Sequence, residues 1–388
     1  MARNAVIVGV GDAALEGGRI VGGGSPLQVQ ARAAKMAADD AGISIGDIDG
    51  LAVAGLWGVP GPGQLATITL GEYLGIQPRY ADGTNIGGAA FESHVAHAAM
   101  AIERGFCDTV LVAYASTQKS DRSRQLGGRP SVLTMQFENV WGVPQPVGGY
   151  AMAAKRHMHE FGTTSEQLAE IAVATRKWAQ LNPAATMRDP MTIDDVLSSM
   201  PICDPLRLYD CCLVTDGGGA VIVTTEDNAR ALGKPTVHVR GFGESHTHWH
   251  IGAMADLARV AAAEASSKTA FEMAGVTPDD IDVVEVYDSF TITVLLTLEA
   301  LGFCKHGEGG EFVSNQRTAP GGSFPLNTNG GGLSYAHPGM YGIFLLIEAV
   351  RQLRGECGER QVDGARTALV HGTGGTLSSG ATVILSGD

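Results

Sequence analysis

Two short stretches of this chain recur far downstream, and that recurrence constrains the fold more than any other feature. "AGISIGDIDGLAV", starting at Ala41, is answered by "AGVTPDDIDVVEV" at Ala274, 233 positions on. "TNIGG" at Thr84 is answered by "TNGGG" at Thr328, 244 positions on. Loops of unequal length make the offset grow in this way. The matches keep their order, so duplication accounts for them better than chance likeness between two units. Such a chain folds as two like halves sharing an interface.

Each half reads alike. In the first, "NAVIVGVG" (4–11) is a short apolar run ending in glycine, a buried strand. "PLQVQARAAKMAADDAG" (26–42) has helical spacing and a glycine stop. "DIDGLAVAG" (47–55) and "DTVLVAYAS" (108–116) are strands, with the small-residue helix "GGAAFESHVAHAAMAIERG" (87–105) between them. The second half repeats the order. "TVHVRGFG" (236–243), "DIDVVEVYDSF" (280–290) and "RTALVHGTGG" (366–375) are strands, and 255–275 and 330–355 carry helices. Strands alternating with helices predict parallel sheets covered by helices. The predicted fold is α/β, an α-β-α-β-α layered sandwich from two duplicated halves, 1–232 and 233–388. Residues 117–204 have no counterpart in the second half and are expected to cap one end of the sheets.

Composition narrows the function. Apolar residues are 44% and charged residues 18% of 388, as in a globular domain rather than a disordered chain. Net charge is −14 and no basic run could track a phosphate backbone, which argues against nucleic acid. No apolar run approaches the roughly 20 residues that cross a bilayer. The N-terminus enters a strand pattern without a secretory core, and the six cysteines lack metal spacing, so reduced thiols and a cytoplasmic location are expected. "HTHWH" (246–250) alternates histidines after a strand, which reads as surface polarity more readily than as a metal site. Cys211 and Cys212 read as core packing. No metal and no cofactor are expected.

The longest motif, "GGSFPLNTNGGGLSYAHPGM", together with "DGGGAVIV" (216–223), resembles the thiolase superfamily. The likeness covers essentially the whole chain and is strongest for the sterol-carrier-protein-X and lipid-transfer-protein branch. Thiolases place a nucleophilic cysteine at a helix N-terminus, where the dipole favours thiolate. The matching position here is Gly88, and no cysteine lies anywhere in 82–94. Ser93 sits too far along the helix to replace it. The "N-E-A-F" or "H-D-C-F" loop is here "Y-D-S-F", putting Tyr287 at the Asn/His position. The "G-H-P" loop is "A-H-P", keeping His337. The "C-x-G-G-G" loop is "HGTGG", putting His371 at the second cysteine's place.

With both thiols gone, the pattern looks like the steroid side-chain-cleaving aldolases of that branch. The resemblance implies retro-aldol cleavage of a β-hydroxyacyl-CoA, giving a ketone and a short acyl-CoA such as propionyl-CoA. The CoA thioester is then substrate, not cofactor. It also implies a homodimer and a small zinc-ribbon/OB-fold partner subunit. Such cleavage needs a base for the β-hydroxyl, donors for the thioester enolate, and an acid for the enolate carbon. Tyr287 and Tyr335 are the expected acid/base pair, with Tyr341 near enough to exchange roles. His337 is the expected oxyanion donor, and backbone N–H groups of Gly88 and Thr373 a second donor pair. His371 is either a proton relay or an orienting group. Asp288 either orients a neighbour or caps the following helix. Lys119, Arg122, Arg124 and Arg129 are candidate CoA contacts. The competing readings are an acyltransferase with another nucleophile, and a non-catalytic acyl-CoA binder.

Overall fold

The computed structural model describes residues 3–55, 61, 63, 65–123 and 136–387. Nine strands join in one sheet: β1 Ala5–Asp12, β2 Gly50–Ala52, β3 Tyr80–Asp82, β4 Thr109–Ser116, β5 Gly217–Thr225, β6 Val237–His246, β7 Val283–Val286, β8 Thr367–Gly374 and β9 Ser379–Ser386. Their order is β7-β8-β9-β6-β1-β5-β4-β2-β3. The sheet therefore has two blocks, and β2-β4-β5-β1 of the first answers β7-β8-β9-β6 of the second. They meet at an antiparallel seam of two residue pairs, Val6 with His238 and Ile7 with Val237.

The duplication reaches single atoms. β1 and β6 each shift register before a glycine, at Gly9 and Gly241. A Cβ on either would lie 2.2 Å from a helix carbonyl, Ala37 O or Ala270 O. Those carbonyls belong to α1 (Pro26–Ala41) and α6 (Ala261–Ala274), which lie on the outer faces of their own blocks. Both glycines are thus required by close helix–strand approach.

The sheet is mixed, not parallel as expected. β2 runs parallel to β3 and β4, and β7 to β8, but β5 and β9 run antiparallel to both their neighbours. A four-residue turn joins β8 to β9, and a connection that short forces an antiparallel return. β9 itself was not read from the sequence. Helix α6 also starts at Ala261 rather than 255, because the Asp256 carboxylate accepts from Ala258 N and turns the chain first.

Two helices lie between the blocks, α3 (Ala90–Glu103) and α8 (Gly342–Arg354), and each touches strands of both halves. Their apolar faces, with Phe91, Val95 and Ile102 on one and Ile343, Phe344 and Ile347 on the other, meet Val110, Val112, Val221, Val370 and Val383 in one core. The alternate residues Leu111 and Ile222 face α1 instead. Each such burial is worth about 1.5–3 kcal/mol, so strands covered on both faces read as unbroken apolar runs. Helix, strand, helix, strand and helix layers result. The short helix α2 (Ala66–Leu74) borders β2 and β3. Within 117–204, α4 (Val147–Phe161) and α5 (Ser165–Leu181) pack against α7 (Thr291–Ala300), and α5 also against residues 331–335. Among the described residues no helix is long and apolar enough to cross a membrane.

Candidate active site

A cavity of about 490 Å³ opens where the start of α3, the ends of β7 and β8, and the loop before α8 converge. Gly87 and Gly88 reach it from the turn that leads into α3, Tyr287, Ser289 and Phe290 from beyond β7, Thr373 from β8 and Gly375 from just past its end. His337, Gly339 and Met340 come from the loop before α8. Pro146 and Tyr150 close the side toward the insertion, and His246 at the end of β6 stands there with His248 and Trp249 just beyond it.

Tyr287 extends the β7–β8 pairing by one step, donating its backbone N–H to the His371 carbonyl at 3.0 Å. That bond aims the phenol into the cavity, where Oη lies 2.9 Å from His337 Nε2. The rings meet edge to face, centroids 5.6 Å apart. The phenol donates when Nε2 is bare, and the imidazole N–H donates once the phenol has lost its proton. One proton can therefore be shared between them.

The loop holding His337 is tied down along its length. His337 donates its backbone N–H to Thr215 Oγ1 at 3.0 Å, and its carbonyl accepts from Gln118 Nε2 at 2.9 Å. Upstream, Gly330 and Gly331 have φ of 101° and 58°, a backbone that glycine adopts freely. They open one wide turn, 331–335, whose N–H groups point at a buried carboxyl. Asp288 accepts from Gly332 N at 2.6 Å and Leu333 N at 3.1 Å. Burial pushes Asp288 up to about 7 although those N–H groups pull it down. Asp288 thus caps the "NGGG" turn, not helix α7 that follows it. Asn329 Oδ1 accepts from Gly331 N and from the Tyr341 hydroxyl, both at 2.8 Å, which commits Tyr341 to the scaffold.

Four of the six expected site residues line one cavity: Gly88, Tyr287, His337 and Thr373. Tyr335 does not join them. Its hydroxyl donates to Asp12 Oδ2 at 2.5 Å, and Asp12 Oδ1 accepts from Arg351 at 2.6 Å. Burial and the Asp12 carboxylate hold that phenol well above its ordinary value. Despite the burial, Arg351 and Tyr335 keep Asp12 below the usual carboxylate range. Tyr335 therefore stitches the second half to the end of β1. His371 also turns away. Its Nδ1 shares a 2.8 Å hydrogen bond with Thr382, which bonds Ser266 of α6 on the sheet's outer face. Burial pushes His371 down to about 3, so the ring stays neutral and relays nothing to the cavity. Its contribution is the carbonyl that holds Tyr287.

Several lining groups were not foreseen. Cys212 lines the cavity rather than the core, its backbone N–H donating to the Ser289 carbonyl at 3.0 Å. His246, His248 and Trp249 form a wall, and His248 Nε2 lies 3.0 Å from the Thr376 carbonyl. No group of three or more His, Cys, Asp or Glu in metal-holding geometry occurs among the described residues. Glu92 of α3 is fully buried beside Gly342 and Gly372, neither of its oxygens has a hydrogen-bond partner among the described residues, and burial pushes it up to about 8. A lone acid in the small-residue run "AAFESH" was its only sequence signal. Of the candidate CoA contacts, Lys119 Nζ donates to the Gly17 carbonyl at 2.7 Å, and neither it nor Arg122 lines the cavity. Arg124 and Arg129 lie outside the described residues.

Two like halves enclosing a helix pair, with a cavity where the helix starts converge, define a thiolase-fold protein, and Gly88, which the sequence matched to the thiolase nucleophile, lines that cavity. Similarity to known proteins agrees, and the chain belongs to the thiolase superfamily. Residues 243–387 match the family model "Thiolase C-terminal domain-like". An acetyl-CoA acetyltransferase of Methanothermobacter thermautotrophicus is 35% identical, over 90% of this chain and 91% of that one. The 17-hydroxy-3-oxo-4-pregnene-20-carboxyl-CoA lyase of Mycobacterium tuberculosis is 33% identical, over 97% and 98%. The solved Ltp2–ChsH2(DUF35) aldolase superposes with a TM-score of 0.88 at 30% identity, covering 99% of this chain and 98% of that one.

Proposed function

We propose that this protein is a carbon–carbon lyase that cleaves a β-hydroxyacyl-CoA with a steroid-like acyl group by a retro-aldol reaction. Lyase and acetyltransferase relatives are both near one third identical, and the residues of the site favour the lyase. The reading rests on the Tyr287–His337 pair, 2.9 Å apart, facing a position 88 without a thiol. In this scheme Tyr287 takes the β-hydroxyl proton while His337 exchanges a proton with the phenol. The oxygen's electrons form the ketone C=O, the Cα–Cβ pair moves into the thioester, and the enolate forms. Backbone N–H groups at the start of α3 hold the enolate oxygen, helped by the positive end of the helix dipole. The proton held by the Tyr287–His337 pair then passes to Cα, which completes the shorter acyl-CoA and returns the pair to its starting state. A small zinc-ribbon/OB-fold subunit, as the DUF35 component of the Ltp2 structure suggests, completes the active assembly. A homodimer paired through the sheet edge at β3 is part of the same proposal, as is a cytoplasmic location.

The test combines the purified protein and its small partner with a β-hydroxyacyl-CoA carrying a tertiary alcohol, and follows products by mass spectrometry. A ketone plus a shortened acyl-CoA is the expected result. Tyr287→Phe is expected to lower the cleavage rate by about 100-fold or more, the usual scale for losing a positioned acid/base group. Full activity in that variant would sink the assignment. Acyl transfer to CoA without cleavage would favour a transferase, for which Cys212 in the cavity wall is the available thiol.

A further inference from the structure

Gly88 raises a question that its backbone does not answer. Gly87 has φ of 77° and needs glycine for its conformation, but Gly88 is not among the residues of positive φ. Any residue could adopt its backbone. What excludes a side chain is space. A Cβ on Gly88 would lie 2.0 Å from Tyr287 Cε2, 2.6 Å from Tyr287 Cζ and 2.6 Å from the Thr373 carbonyl oxygen. Real carbon contacts do not come within 3 Å, so either the ring or the backbone would have to move.

Neither can yield easily. A Cβ on Gly374 would come 1.6 Å from the Ile86 carbonyl, and one on Gly87 would come 3.1 Å from Gly374 Cα. Strand β8 and the start of α3 are therefore already in close contact. Tyr287 is held by its backbone bond to His371, and its ring sits edge-on to both His337 and Tyr341, whose centroids lie 5.6 and 6.0 Å away.

From this geometry we infer that Gly88 is a positioning residue that fixes the reaction class. Leaving out its side chain creates the slot in which the Tyr287 phenol reaches His337, and a side chain at 88 and the Tyr287 ring are alternative occupants of one volume. A nucleophile restored at 88 by one substitution would displace the phenol rather than add to it. The inference rests on the lyase reading for its catalytic consequence, but its steric content stands without it.

Two cycles test it. In the kinetic cycle, Gly88→Ala is expected to cut cleavage by about 100-fold, the scale of a catalytic group displaced by about 1 Å. The same change in a Tyr287→Phe background is expected to alter the residual rate less than 3-fold, roughly, because the phenol it misplaces is already gone. Losses that multiply would mean Gly88 acts some other way. In the stability cycle, Gly88→Ala is expected to lower the unfolding temperature by several degrees. In a Tyr287→Ala background the drop should shrink to less than half, the remainder coming from the Thr373 carbonyl. An equal drop in both backgrounds, or wild-type activity in Gly88→Ala, overturns the inference. If the wild-type protein cleaves nothing, the lyase reading fails while the stability cycle still decides who occupies the slot.

Discussion

At the residue scale, the site turns on where each side chain points. The aromatic and imidazole groups at 335, 337 and 341 lie within seven positions, yet only His337 lines the cavity. Tyr335 ends the wide turn and reaches Asp12, and Tyr341 bonds Asn329. Tyr335→Phe is therefore expected to keep cleavage within about 3-fold of wild type while losing about 1.5–3 kcal/mol of stability, the worth of a hydrogen bond to a charged group. Steady-state rates alongside denaturant unfolding check both halves of that statement. Cys212→Ser keeps a cavity-lining group of similar size. It is expected to leave cleavage nearly unchanged, and a loss of about 100-fold would instead mark a nucleophile. Tyr287 and His337 could be found in the sequence because motif position determined both place and direction. Tyr335 and His371 were matched to the right loops but not to the right face, since a short irregular turn and a strand's alternation decide direction through contacts with distant residues such as Asp12 and Thr382.

At the element scale, the loop from Asn327 to Pro338 is a scaffold shaped by one carboxyl. Asp288 takes two backbone N–H groups of the turn at once, and a Cβ on Gly331 would fall 2.0 Å from its Oδ2. Asp288→Asn keeps one acceptor and sets an N–H against the other donor. It is expected to cost about 2 kcal/mol, the scale of a buried donor left without its acceptor. It should also lower kcat, because His337 follows the turn that loosens. A variant with unaltered unfolding and unaltered kcat would refute the cap. The sequence showed the glycines and the neighbouring helices, since apolar periodicity and glycine stops are local signals. It did not show β9 or the antiparallel returns, since strand direction is settled by connection length and partner rather than by the residues inside the strand.

At the scale of the whole molecule, the duplication legible at Ala41 and Ala274 predicts that the halves share a core, and α3 and α8 supply it. Only polar exceptions in that layer escape the pattern, and Glu92 is the most consequential. Its carboxyl fits because Gly342 and Gly372, both of the second half, offer no Cβ: one on either would sit 2.5 and 2.2 Å from Oε2. Burial raises it from 4.5 to about 8, so between those values the folded protein keeps a proton that the unfolded chain releases. Stability from the neutral carboxyl is present in full below about pH 4.5 and is lost as pH climbs toward 8. Glu92→Gln is neutral at every pH and nearly the same shape. Its stability relative to wild type should thus rise steadily from pH 5 to pH 8 and level off above, by a few kcal/mol in all. Denaturant unfolding of both proteins across that range measures the difference directly, with contributions from every other titrating group cancelling between them. Parallel curves would mean that the carboxylate is charged in the fold and that water or an ion reaches the layer between the halves.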